Sequence, residues 1–187
     1  MEIKKESKFL RVFRRYGVLT FACVLCVVIA LVVSLSVKKG GEAPVSTQAI
    51  KFSVPMENAV VVKDFADDHL QFNESLNRWE IHLSVDLTSE SENVFSAAKG
   101  VVTSVSSNSL DGYIVEIAHD DGFVSVYSSL SENVNVKAGD KVEAGQKIGA
   151  ASTTASNESK TGNHLHFTLL KDGVEVDPNN YIDLQNK

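Results

Sequence analysis

Apolar and polar positions follow two different rhythms along this chain. Residues 16–37, YGVLTFACVLCVVIALVVSLSV, form an apolar run that no charged side chain interrupts. A helix of that length, rising about 1.5 Å per residue, spans roughly the 30 Å hydrocarbon layer of a bilayer, so the run reads as a transmembrane helix. Further on, the rhythm shortens to two residues. AVVVKDF, WEIHLSVDL, GVVTSVS, GYIVEIAH, GFVSVYSSL and HLHFTLL are strand-length segments rich in Val, Ile, Tyr and Phe, the signature of half-buried β-strands. Asp111-Gly112, Asp121-Gly122 and Asp172-Gly173 punctuate them as hairpin turns. In VNVKAGDKVEAGQKIGA, Gly139 and Gly145 supply tight turns between short strands. TTASNESK suggests a turn but has no repeating apolar face. The pattern predicts a mainly β, antiparallel, sandwich-like or barrel-like domain after a single N-terminal transmembrane helix, large enough for a two-layer core without disulfide staples.

Charge orients the chain. Lys4, Lys5, Lys8, Arg11, Arg14 and Arg15 precede the apolar run against Glu2 and Glu6, which keeps the N-terminus in the cytoplasm and exports the remainder. A cleaved signal peptide would have a shorter apolar stretch and a better cleavage site than Ser34 and Ser36 offer. The expected organisation is a cytoplasmic tail at 1–15, a membrane helix at 16–37, a Gly- and Pro-containing linker at 38–56 and an exported domain at 57–187. Eight of the 18 basic but only two of the 24 acidic residues lie before residue 40, leaving ten against twenty-two beyond it. So acidic an exported part is no partner for nucleic acid. Both cysteines, Cys23 and Cys26, fall within the apolar run, so the exported domain contains no disulfide.

Two constellations carry candidate chemistry. In GNHLHFTLL, Leu165, Phe167 and Leu169 alternate with His164, His166 and Thr168, which points both imidazoles to one side of a strand. In WEIHLSVDL, His82, Ser84 and Asp86 alternate with Ile81, Leu83, Val85 and Leu87, expected to supply a core, and Trp79 is expected to pack beneath this strand. His82 and Asp86 would stand roughly 13 Å apart on a straight strand, so a joint site requires the strand to bend or end between them. With that bend, His82, Asp86 and one histidine of HLH form two imidazoles and a carboxylate, a donor set that suits Zn²⁺ with an open fourth position. Without it, they are polar faces of two unrelated strands. His119 shares the face of Val115 and Ile117 and reads as structural, while His69 lies in an acidic, solvated stretch.

HLSVD, followed about eighty residues later by HLHF, with GVVTSV, IAHDDG, Tyr127, VKAGDKVEAGQKIG and VDPNNYI in order between and after, resembles the lysostaphin-type (LytM) zinc metallopeptidases, which cut peptide cross-links in peptidoglycan. The resemblance runs from about Trp79 to Leu184. It implies that His82, Asp86 and His166 are metal ligands and that His164 is the remnant of a catalytic pair that handles protons beside the metal. The other member of that pair stands in a Y-x-H segment, and this chain has Tyr127-Ser128-Ser129, so Ser129 replaces the expected histidine. A hydroxyl does not titrate near neutral pH, and loss of one general acid-base group typically removes a factor of about 10²–10⁴ in rate. Ser84 stands where active members commonly carry glycine.

The anchor, the short linker, the KDF and WEIH segments and YSSL in place of Y-x-H resemble the degenerate members of the family that serve in endospore formation. That resemblance implies a forespore membrane protein whose exported domain binds the exported domain of a mother-cell membrane protein of the stage III sporulation protein AH type, as part of a channel or adhesion scaffold. The exposed edge strands expected of such a domain suit strand addition by a partner. The alternatives are a tethered peptidoglycan endopeptidase relying on His164 alone and an activator of a wall hydrolase. A biotinyl or lipoyl carrier, suggested by VKAGDKVEAGQKIG, is excluded by the want of a hairpin lysine flanked by methionines.

Overall fold

The computed structural model describes residues 50–184. The apolar run at 16–37, with its two cysteines, lies outside them, and among the described residues no helix is long and apolar enough to cross a membrane. Twelve strands make up the domain: β1 (Val60–Lys63), β2 (Ala66–Asn73), β3 (Arg78–His82), β4 (Val85–Thr88), β5 (Asn93–Phe95), β6 (Gly100–Asn108), β7 (Gly112–Ala118), β8 (Phe123–Leu130), β9 (Lys141–Val142), β10 (Lys147–Ala150), β11 (Leu165–Lys171) and β12 (Val174–Val176). Seven run side by side in the order β1-β4-β11-β8-β7-β6-β9, with β12 pairing the second half of β11. The pairings are antiparallel.

Two of the three Asp-Gly pairs take the paired left-handed conformation, and at the third only Gly112 is left-handed. Asp172 and Gly173 take φ values of 52° and 83°, and Asp121 and Gly122 take 55° and 74°, the left-handed pairs that match the twist of hairpin strands. One layer of the core comes from β11 and its neighbours, where Phe167, Leu165, Leu169, Val85 and Tyr127 are fully buried. The β5–β10 ribbon lies over them and contributes Val94 and Ile148 to the same cluster. Burying a side chain the size of Phe167 contributes about 1.5–3 kcal/mol. Phe52 and Met56, in the segment assigned to the linker, are also buried in this core, and Ser53 N–H donates to the Ala97 carbonyl at 2.8 Å. Ordered packing therefore begins before residue 57.

The WEIHLSVDL segment departs from the expected single strand. Its first half, β3, pairs only with β2 in a separate two-stranded ribbon, and its second half, β4, joins the large sheet. Val85 and Leu87 supply core as expected. Trp79 and Ile81 do not: they are 65% and 49% exposed, with Trp79 against Phe72 at a ring separation of 5.4 Å. Because the ribbon leaves the main sheet, the face that turns to the body of the domain is the one bearing Glu80 and His82. Alternation along a strand states which residues share a face but not which face is covered.

Gly112 opens β7 with φ of 72°, and a Cβ there would lie 2.1 Å from Thr154 Oγ1. Thr154 in turn donates to the Leu130 carbonyl at 2.7 Å. Gly112→Ala is expected to cost about 1–3 kcal/mol through backbone strain and displacement of the Thr154 loop. A denaturant midpoint unchanged from wild type would contradict that close approach.

Candidate metal centre

The break between β3 and β4 at Leu83 and Ser84 is what brings the candidate residues together. His82 ends β3, and Asp86 sits one residue into β4, directly opposite His166 on β11. His82 Nε2 lies 3.5 Å from Asp86 Oδ1, and His166 Nδ1 lies 2.9 Å from the same oxygen. The bend that the spacing of His82 and Asp86 demanded is present. Ser84 sits within it without a left-handed backbone, its hydroxyl 3.0 Å from His82 Nε2 and 3.5 Å from His166 Nδ1.

A fourth group completes the cluster. Glu158 lies in a short 3₁₀ turn, Ser156–Glu158, within the TTASNESK segment. Its Oε2 is 2.8 Å from His166 Nδ1 and 3.4 Å from His164 Nε2, and its Oε1 is 3.5 Å from His82 Nε2 and 3.3 Å from Lys63 Nζ. Sequence reasoning missed it. The signal available was that Glu158 is the one acidic residue between Glu143 and Asp172, and nothing in that marks it as buried.

The loop bearing Glu158 is pinned on two sides. From the β6–β7 turn, the Ser109 and Leu110 carbonyls accept from the Ser156 and Asn157 N–H groups, and Asp111 Oδ1 accepts from Asn157 Nδ2 at 3.2 Å. From the β2–β3 turn, Asn73 Nδ2 donates to the Asn157 carbonyl at 3.0 Å and Ser75 Oγ accepts from Lys160 N–H at 2.9 Å.

The electrostatics of the cluster follow from three imidazoles closing on two buried carboxylates. Burial opposes charging throughout, but the partners outweigh it. Burial works to lower His166, yet Asp86 and Glu158 push it up to about 10. His82 and His164 are raised above the usual histidine value for the same reason, against their own burial. Burial would raise Asp86 and Glu158, but His166 and His82 hold Asp86, and His164, His166 and His82 hold Glu158, below the carboxylate range.

The residues fit a zinc ion. Four donors about 2.0–2.1 Å from Zn²⁺ in a tetrahedron stand roughly 3.3 Å from one another, and the His82, Asp86, Glu158 and His166 donor atoms all lie within 4.8 Å of each other, with close separations of 2.8–3.5 Å. Asp86 Oδ2 is buried with no hydrogen-bond partner, as suits a carboxylate facing a cation. The imidazole tautomer is prepared too: His82 Nδ1–H donates to the Asp64 carbonyl at 2.9 Å, leaving Nε2 toward the cluster.

Of the remaining candidates, His164 touches the cluster through Glu158, and Ser129, His119 and His69 lie outside it. Ser129 is fully buried with φ of 59°, and its hydroxyl donates to the Ser152 carbonyl at 2.9 Å. The same carbonyl accepts from His164 N–H at 3.2 Å, so Ser129 neighbours His164 through Ser152 while its own hydroxyl is committed to backbone. His164 Nδ1–H donates to the Gly162 carbonyl at 2.8 Å. His119 bonds Ser125 Oγ at 2.7 Å and the Lys99 carbonyl at 2.8 Å, against Phe52, in a packing network outside the cluster. His69 is exposed beside Asp68.

Known proteins resemble this chain in sequence and in fold. Residues 80–178 match peptidase family M23. Stage II sporulation protein Q of Bacillus subtilis (strain 168) is 35% identical over 140 residues, which cover 70% of this chain and 49% of that protein. The chain thus spans about half the length of this curated relative. Among solved structures, a chain of the SpoIIQ-SpoIIIAH pore forming complex is similar with a TM-score of 0.63 and 32% identity, covering 72% of this chain and 92% of that one. A zinc containing peptidase from Vibrio cholerae is similar with a TM-score of 0.58 and 25% identity, covering 73% and 40%. With a family match across more than half its length and an antiparallel β fold that places the HLSVD and HLHF residues side by side, the chain belongs to peptidase family M23, the LytM-type metallopeptidases.

Proposed function

We propose that this chain is a membrane-tethered, catalytically degenerate member of its family, acting in sporulation as a binding module between forespore and mother cell. In this reading residues 16–37 anchor it with residues 1–15 in the cytoplasm, and the exported domain docks on the exported domain of a SpoIIIAH-like protein as part of a channel or adhesion scaffold. The observation that carries the reading is the likeness to the SpoIIQ-SpoIIIAH complex, which extends over 92% of the matched chain. Ser129 supports it, since a hydroxyl spent on the Ser152 carbonyl supplies no proton relay. So does the apolar face of the β2–β3 ribbon, where Leu70, Phe72, Trp79 and Ile81 are exposed together.

His82, Asp86 and His166 would hold zinc. In active relatives the bound metal polarises the scissile carbonyl and activates water. Here the three ligands come from β3, β4 and β11, and holding them together ties the ribbon to the sheet. Full-length chain in detergent is expected to co-elute with a SpoIIIAH-type exported domain and to release no new amino groups from cross-linked peptidoglycan. Peptidoglycan cleavage that disappears in His82→Ala would replace this reading with that of a tethered endopeptidase, which the likeness to the zinc containing peptidase favours.

A further inference from the structure

We infer that Glu158 is the protein's own fourth ligand and that His164 no longer serves as an acid-base group but positions Glu158 for that task. The inference rests on the reading of His82, Asp86 and His166 as metal ligands. It goes beyond that reading by assigning a closed centre in place of one with a position open to water.

Three observations converge on it. Glu158 is buried, and its two oxygens face two imidazoles of the proposed ligand set at 2.8 and 3.5 Å. In a site open for catalysis the fourth position belongs to water or substrate, whereas four protein ligands mark a structural site. Next, His164 is turned for support: Nδ1 is fixed by the Gly162 carbonyl, so Nε2 presents to Glu158 Oε2 at 3.4 Å. A histidine fully buried behind a carboxylate that itself lies between it and His166 has no path to a substrate at the metal. Finally, Lys63 Nζ, 3.3 Å from Glu158 Oε1, holds the other oxygen, and the loop is pinned by both the β2–β3 and β6–β7 turns. A side chain anchored at both oxygens and along its backbone is a built ligand rather than a surface acid folded inward. Ser129 and Glu158 then describe one change: one proton carrier is lost and the other is turned to hold a carboxylate where water would stand.

The test uses full-length chain loaded with Co²⁺, whose visible absorption reports coordination number, with acetohydroxamate as the exogenous ligand. Wild type is expected to take up one metal per chain and to keep its spectrum when hydroxamate is added. Glu158→Ala is expected to open the position, so that hydroxamate shifts the spectrum, and Glu158→Gln, which replaces an anionic donor by a neutral one, to weaken metal binding. His164→Ala is expected to give the same hydroxamate response with unchanged far-UV dichroism, and His164→Gln, whose amide can still donate to Glu158, to restore the closed spectrum. A wild-type spectrum that shifts with hydroxamate as far as that of Glu158→Ala would overturn this inference and leave the three-ligand reading standing. Failure of wild type to bind metal would overturn both.

Discussion

Replacing His166 by alanine is expected to abolish zinc binding and to lower the stability of the metal-free chain by about 3–5 kcal/mol. His166 Nδ1 stands between Asp86 Oδ1 and Glu158 Oε2, at 2.9 and 2.8 Å. Without it Asp86 keeps only His82 at 3.5 Å, while Glu158 retains His82, His164 and Lys63, and breaking a buried pair by removing one partner leaves the other charge, here that of Asp86, poorly compensated. The ring is 23% exposed, so water entering the gap sets the cost toward the lower end of that range. His69→Ala is the control, because its partnership with Asp68 is at the surface, where solvent screens it, and its loss should leave the denaturant midpoint essentially unchanged. Denaturant midpoints in the presence of a chelator, with metal content by mass spectrometry, check both. Equal midpoints for the two variants would mean that the cluster contributes nothing to folding.

Stripping the metal is expected to reverse the pH dependence of stability. In the metal-free chain, Asp86 and Glu158 have folded values below the ordinary carboxylate value, so their contribution is present above about pH 4.5 and lost as pH falls. His166 is raised from 6.5 to about 10, so its contribution is complete below about pH 6.5 and lost as pH climbs toward 10. Stability should peak between about pH 5 and 6.5 and fall by on the order of 2–5 kcal/mol by pH 10, since each pH unit between the two values corresponds to about 1.4 kcal/mol. The zinc-loaded chain should do the opposite over pH 5.5–8.5, because ligating imidazoles must be neutral and protons compete with the metal. Thermal melts of both forms across that range measure the divergence. A melting temperature of the metal-free chain that stays level from pH 6.5 to 9 would remove the buried ion pairs from the account.

Much of this fold is written locally. Asp121-Gly122 and Asp172-Gly173 take left-handed backbone and mark the β7–β8 and β11–β12 hairpins. The candidate metal residues were legible as two motifs on two strands, but local pattern did not join them, because their union depends on β3 and β4 belonging to different sheets. Nothing in Leu83-Ser84 announces that parting. Trp79 shows the reverse failure: its bulk suggested the core, whereas the ribbon turns its face outward. Glu158 was illegible for a third reason. Its burial comes from hydrogen bonds supplied by two turns distant in sequence, and a short polar stretch carries no periodicity to betray an inward side chain.

Asp86 and His166 are paired residue for residue between β4 and β11, and this alignment makes any bound ion a proofreader of assembly. Sliding either strand by one position would deliver Leu165 or Leu87 in place of a donor, because neighbours along a strand point to opposite sides. A misaligned chain could not capture the ion, and a correctly aligned one would be locked by it.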